Sequence, residues 1–149
     1  ALDSGQLHRY VIDFPTAALL AHEKVISFPH LGASTDEAEE NCAIMVADQV
    51  RDYLEDGTVE NSVIFPNAVM PRNGGNRITI ANANVPNMVG QISTILANAG
   101  LNIADLLNKS RGDVAYTIIV VDGDIADDTV QAIRKIEGVL SLRCLAPKQ

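Results

Sequence analysis

"RITIANANVPNMVGQISTILANAG", residues 77–100, decides the fold. Ile78 and Ile80 alternate with Arg77 and Thr79, so "RITIANA" reads as a strand. The loop "NANVPN" (82–87) interrupts it. From Val85 the apolar residues change period. Val85, Met88, Ile92, Ile95, Leu96 and Ala99 share one helical face, with Asn87, Gln91, Thr94 and Asn98 opposite. Pro86 suits the first turn of that helix, and Gly100 ends it.

Downstream, "LNIADLLNKS" and "VAYTIIVVD" are strands around the Arg-Gly-Asp turn at 111–113. "IADDTVQAIRKIEG" is a second helix, with Asp127 and Asp128 in its first turn and Arg134 and Lys135 in its last, signs that complement its dipole. "VLSLRCL" closes the series as a strand. The order βαββαβ predicts a ferredoxin-like α+β unit, one antiparallel sheet with two helices on one face. "VAYTIIVV" is apolar on both faces, and such a sheet has an open edge. Both predict burial against a second copy, hence a homo-oligomer joined at the sheet edge.

Upstream, "LHRYVIDF" (7–14) and "KVISF" are strands, and "STDE" is a capping box with Ser34 as N-cap and Glu37 three residues on. The helix that follows carries Cys42, Met45, Val46, Val50, Tyr53 and Leu54 at helical spacing, and Gly57 lies where a C′ glycine would end it. Two prolines and a Gly-Gly pair mark "TVENSVIFPNAVMPRNGGN" (58–76) as a connection. The first strands are expected to pair with a second copy or with this connection, because isolated strands leave backbone groups unpaired.

Charge follows the same division. Residues 1–76 hold 4 Lys+Arg and 12 Asp+Glu, whereas residues 77–149 hold 7 of each. An acidic or neutral surface argues against nucleic acid and anionic membranes as partners. Ile78 to Ala104 contains no charge, but its asparagines, its proline and its one-sided apolar pattern mark a strand and helix, not a membrane span. Cys42 and Cys144 form no metal spacing and read as structural thiols of a cytoplasmic protein, with no secretion leader expected. No metal site is expected.

Two places suit chemistry. In "VISFPHLGAST" (25–35), His30 sits between a strand and a helix, where it is either a structural histidine or a general base in need of a carboxylate and a cation. The ten glycines form no GxGxxG or GxxxxGK turn for a nucleotide. In "NANVPN", a helix N-terminus with Asn84, and Asn102 on the next strand, could hold a carboxylate ligand. Equally, these asparagines are turn residues.

"YVIDFPT", "EKVISFPHLGASTDEAEENCAIMVADQV" and "NSVIFP" together resemble the C-terminal part of the D-3-phosphoglycerate dehydrogenase family. The unit from Arg77 resembles the ACT domain, a small amino-acid-sensing module. The resemblance implies a fragment with three parts: a remnant of the α/β catalytic region at 1–66, a linker at 67–76, and an ACT regulatory domain at 77–149. It implies that His30 is the catalytic acid/base of an NAD-dependent oxidation of 3-phospho-D-glycerate, with the NAD-binding glycines upstream. The fragment alone is then expected to bind no NAD and to be inactive. The position of the family's histidine-pairing glutamate is Ala17 here, and Glu23 has the wrong spacing. The resemblance further implies L-serine bound between two subunits by Asn84 of one and Asn102 of the other. The family's "NxPG" reads "NVPN", and a histidine found two before the first asparagine in some relatives is Asn82. Assembly without any ligand, or binding of another small amino acid, are the alternatives.

Overall fold

The computed structural model describes residues 1–72 and 74–147. The expected linker includes Asn73, and the expected regulatory domain ends in Lys148 and Gln149; these three lie outside the described residues. The chain forms two compact units, Ala1–Val46 and Ala47–Gln149.

In the first unit, β1 (Tyr10–Ile12) and β2 (Val25–Ser27) pair in parallel across α1 (Ala17–Leu20), with Ile12 opposite Ser27. The two strands thus find each other, not the downstream connection. His22 pins the crossover: its Nε2 lies 3.0 Å from Asp3 Oδ1, and its Nδ1 accepts from the Lys24 N–H at 3.1 Å. That histidine holds the Asp3 carboxyl below the usual carboxylate range.

Helix α2 (Asp36–Asp56) spans the division between the units. Its cap is Thr35, whose Oγ1 accepts from the Ala38 N–H at 3.2 Å, one residue later than the Ser34 box predicts. None of its residues is buried, so its apolar stripe is exposed, with Val50 at 50% and Leu54 at 56%. Gly57 ends it at φ +70°. A Cβ at Gly57 would collide with Thr79, so both the backbone angle and the close approach require glycine.

The second unit is a four-stranded antiparallel sheet in the order β4-β5-β3-β6, formed by β3 (Asn76–Ala83), β4 (Asn102–Arg111), β5 (Val114–Asp122) and β6 (Val139–Leu145). Helices α3 (Met88–Asn98) and α4 (Asp127–Arg134) cover one face. Ile78, Ile80, Ile119 and Val121 meet Ile92, Leu96 and Ile133 there, all fully buried. Helix α3 begins later than the pattern predicts. Asn87 adopts the left-handed conformation (φ 64°) as its N-cap, which leaves Pro86 in the preceding turn.

The other sheet face is covered by the unit's own chain. Val59, Ala68 and Met70 pack on Tyr116, Ile118 and Val120, and a bridge joins Val59 to Ala68. The apolar second face of β5 therefore needs no second copy to bury it. Arg77 is completely buried on this side. Its Nη1 donates to Asp56 O at 2.7 Å and its Nη2 to Pro71 O at 2.6 Å. Arg143 donates to Tyr53 O and Leu54 O at 3.0 and 2.7 Å, and Tyr116 Oη to Gly57 O at 3.0 Å. Several of these bonds fall on carbonyls of the last turn of α2, where intrahelical donors run out; Tyr53 O also accepts from the Gly57 N–H at 3.0 Å.

Arg77→Ala should remove the hydrogen bonds to Asp56 O and Pro71 O from a buried side chain and lower unfolding free energy by roughly 3 kcal/mol, because hydrogen bonds to charged groups are the strong ones. Urea denaturation measures this. An unchanged midpoint would remove Arg77 from the account of how residues 56–71 are held.

Candidate functional site

The β3–α3 junction builds a polar cleft of about 270 Å³, lined by Asn82, Asn84, Asn87, Met88, Asn108 and Ala115. Its floor is a hydrogen-bond chain that runs from exposed Asn108 to buried Asn82. Asn108 Nδ2 donates to Thr117 Oγ1 at 2.7 Å, Thr117 Oγ1 donates to Asn82 Oδ1 at 3.1 Å, and Asn82 Nδ2 donates to Ala83 O at 2.8 Å. Asn82 is 1% exposed and Thr117 fully buried, so the chain fixes the Asn82 amide orientation. A register shift between Ala81 and Asn82 against β6 re-aims the strand at this point. The Asn87 carboxamide lies over the first turn of α3, where a side chain at Gly90 would displace it.

Asn84 ties the junction to the β4–β5 turn. Its N–H donates to Asp113 O at 2.9 Å and its Nδ2 to Gly112 O at 3.0 Å. Asn102 is at the opposite end of the sheet, where it pairs with Asp122 and its Nδ2 donates to Asp122 Oδ2 at 3.0 Å. The length of β4 separates the two ends by roughly 30 Å at about 3.3 Å per residue. One chain therefore does not bring Asn84 and Asn102 together.

In the first unit, His30 is 63% exposed, with Nδ1 3.4 Å from Asp13 Oδ2. The Phe14 ring meets the imidazole edge to face, with centroids 5.8 Å apart and planes at 80°. The sequence reading looked to Ala17 and Glu23 and missed Asp13. The signal was available in the parallel pairing of β1 with β2, which carries the residues after Ile12 alongside those after Ser27.

A second cavity, about 280 Å³, opens on the other sheet face among Gln49, Tyr53, Phe65 and Tyr116. Burial pushes the Tyr116 phenol up from its ordinary value, and burial likewise raises the Cys144 thiol. Cys42 and Cys144 are free. Among the described residues, no group of three or more His, Cys, Asp or Glu could hold a metal ion. No described helix is long and apolar enough to cross a membrane.

The second unit is thus a ferredoxin-like βαββαβ unit of ACT-like fold, with a polar cleft at its first strand-to-helix junction. By sequence, the chain is similar to part of the D-3-phosphoglycerate dehydrogenases. It is 32% identical to the enzyme of Escherichia coli K12 over 132 residues, which is 87% of this chain and 32% of that one. It is 29% identical to the Haemophilus influenzae enzyme over 157 aligned positions, 97% of this chain and 38% of that one. The chain thus spans about a third of the length of the curated relatives it matches. No family model matches it. Among solved structures, the ACT domain of the Chlorobium tepidum GTP pyrophosphokinase aligns with 47% of this chain and 95% of its own, at 18% identity and a TM-score of 0.40.

Thr117→Val should break the chain at the cleft floor and cost about 1–3 kcal/mol, the penalty for unsatisfied buried amides. Asn102→Ala, at an exposed pair, should stay within about 0.5 kcal/mol. Paired urea titrations compare the two, and equal effects would show that the floor network carries no stability.

Proposed function

We propose that this chain is the C-terminal regulatory part of an NAD-dependent D-3-phosphoglycerate dehydrogenase, and that its ACT-type module assembles copies of the chain and senses a small amino acid, L-serine in the first instance. The observation that carries this reading is the cleft of about 270 Å³ at the start of α3, whose floor is an oriented asparagine amide. A helix N-terminus attracts a carboxylate, and asparagine oxygens accept from an ammonium group. The ligand would lie between two copies, with Asn84 from one and Asn102 from the other, because a single chain keeps these residues at opposite ends of the sheet. The functional division follows the resemblance: catalytic region to residue 66, linker at 67–76, regulatory domain from 77. A cytoplasmic location accords with serine synthesis.

In the whole enzyme His30 would exchange a proton with the substrate hydroxyl during oxidation of 3-phospho-D-glycerate to 3-phosphohydroxypyruvate. NAD would supply the hydride acceptor. The residues of this chain do not fit that cofactor, since no Gly-rich turn opens any of its helices. The nucleotide-binding glycines and most of the cofactor domain would lie in the part of the relatives that this chain does not match, and the chain by itself should form no NADH.

A second reading has its own support. Asn84 spends its amide N–H₂ on Gly112 O, and the Asn87 carboxamide covers the first turn of α3. Both favour a module that only assembles. Calorimetric titration with L-serine, glycine and L-alanine, on material of known mass by light scattering, separates the readings. Saturable serine binding near one per chain, lost in Asn84→Ala, is the expected result. A stable dimer that gives no heat with any of the three would leave assembly as the function.

A further inference from the structure

We propose that the cavity of about 280 Å³ on the second sheet face is a binding site for a small aromatic amine, with the ring among Tyr53, Phe65 and Tyr116 and the ammonium group facing Glu60. This site is independent of the serine reading above.

The cavity is separate from the asparagine cleft. Side chains alternate across a strand, so Ala81 and Tyr116 face away from Asn82 and Thr117. Ala81 of β3 and Tyr116 of β5 stand opposite each other and form the floor. The C-terminal half of α2 adds Gln49 and Tyr53, and the connection adds Glu60 and Phe65. Ala81 offers only a methyl group beside the Tyr116 ring, which leaves the space open.

The wall made by the connection is held by its own hydrogen bonds. A bridge joins Val59 to Ala68, the Asn61 N–H donates to Asn67 Oδ1 at 3.0 Å, and the Ser62 hydroxyl accepts from the Phe65 N–H at 3.0 Å. From the β4–β5 hairpin, Arg111 Nη1 donates to Ser62 O at 3.0 Å. Phe65 thereby meets Tyr116 edge to face, with centroids 6.0 Å apart and planes at 63°. A wall fixed in this way reduces the ordering that a ligand must impose.

Size and charge set the chemical class. Pockets for drug-sized ligands begin at about 300 Å³, so this one suits a single ring with a short arm. Glu60 is the one ionised side chain that lines it. Neither the Glu60 carboxylate nor the Gln49 amide has a hydrogen-bond or ion-pair partner among the described residues. Residues 47–60 carry five carboxylates against Arg51 alone, a local field that draws cations. The Tyr53 ring already accepts one cation, since the Arg143 guanidinium lies 4.7 Å from its centre. Arg143 is engaged on Tyr53 O and Leu54 O and does not line the cavity. An ammonium group beside Glu60 would gain an ion pair and the faces of nearby aromatic rings together.

The test is titration of the ¹⁵N-labelled full chain at neutral pH with phenethylamine, with phenethyl alcohol and phenylacetate as neutral and anionic comparisons. Amide shifts that saturate around Tyr53, Glu60, Phe65 and Tyr116, with Asn84 and Asn87 unmoved, are the expected result. The amine should bind about tenfold more tightly than the alcohol, and the carboxylate most weakly. Glu60→Gln, at an exposed position, should keep the fold and remove the preference for the amine. Ala81→Leu should fill the space and abolish binding of all three. No saturable shift with the amine would overturn the proposal, as would equal binding of amine and alcohol or an unchanged amine affinity in Glu60→Gln. Amine binding that weakens as the protein concentration rises would assign the cavity to a second copy and overturn it too.

Discussion

The second unit depends on one buried guanidinium. Arg77 enters β3 from the connection, points to the face away from α3 and α4, and is completely removed from solvent. Burial there, with Arg72 nearby, lowers its proton affinity from the ordinary arginine value. Its two terminal nitrogens bind Asp56 O at the end of α2 and Pro71 O just before β3. A single side chain thus joins both ends of the connection to the sheet. Its Nε is buried without a hydrogen-bond partner among the described residues, so the site is not an ideal electrostatic cage. What offsets the desolvation is the pair of charge-assisted hydrogen bonds to Asp56 O and Pro71 O, together with the apolar cover that residues 59–70 then lay over Tyr116, Ile118 and Val120.

The sheet unit was legible because its elements obey a single period each. β6 is placed where "VLSLRCL" predicts, and β3 begins one residue earlier than predicted. The errors lie where one side chain overrides a pattern. Asn87 in a left-handed conformation delays α3, and Thr35 displaces Ser34 as the cap of α2. The cover over the second sheet face was not legible at all. In residues 58–70, Val63 is 94% exposed whereas Ala68 is fully buried, so hydrophobicity does not distinguish the residues that pack from those that do not. An apolar strand face says that something covers it, without naming what.

The candidate residues show the same limit. Asn84 lies at the cleft that the sequence suggested, but Asn82, treated as a substitution for a histidine, is the best-oriented group on its floor. Thr117 and Asn108 orient it from β5 and β4, which are distant in sequence and adjacent only through strand pairing. Asp13 escaped attention for a related reason. Searching forward from the Phe-Pro-Thr motif leads to Ala17, whereas the carboxylate that faces His30 precedes that motif.

The cover over the second face also bears on where the sheet unit can be excised. A piece cut at Arg77 would start with the guanidinium but without Asp56 and Pro71, its two acceptors. It would also expose a strip of Tyr116, Ile118 and Val120 on a central strand. The cooperative unit therefore reaches back through residues 57–70 into the last turns of α2, well ahead of the point where the βαββαβ pattern begins. The recognisable domain and the smallest piece able to keep itself folded are two different lengths of chain, and the difference is the segment that looks like a linker.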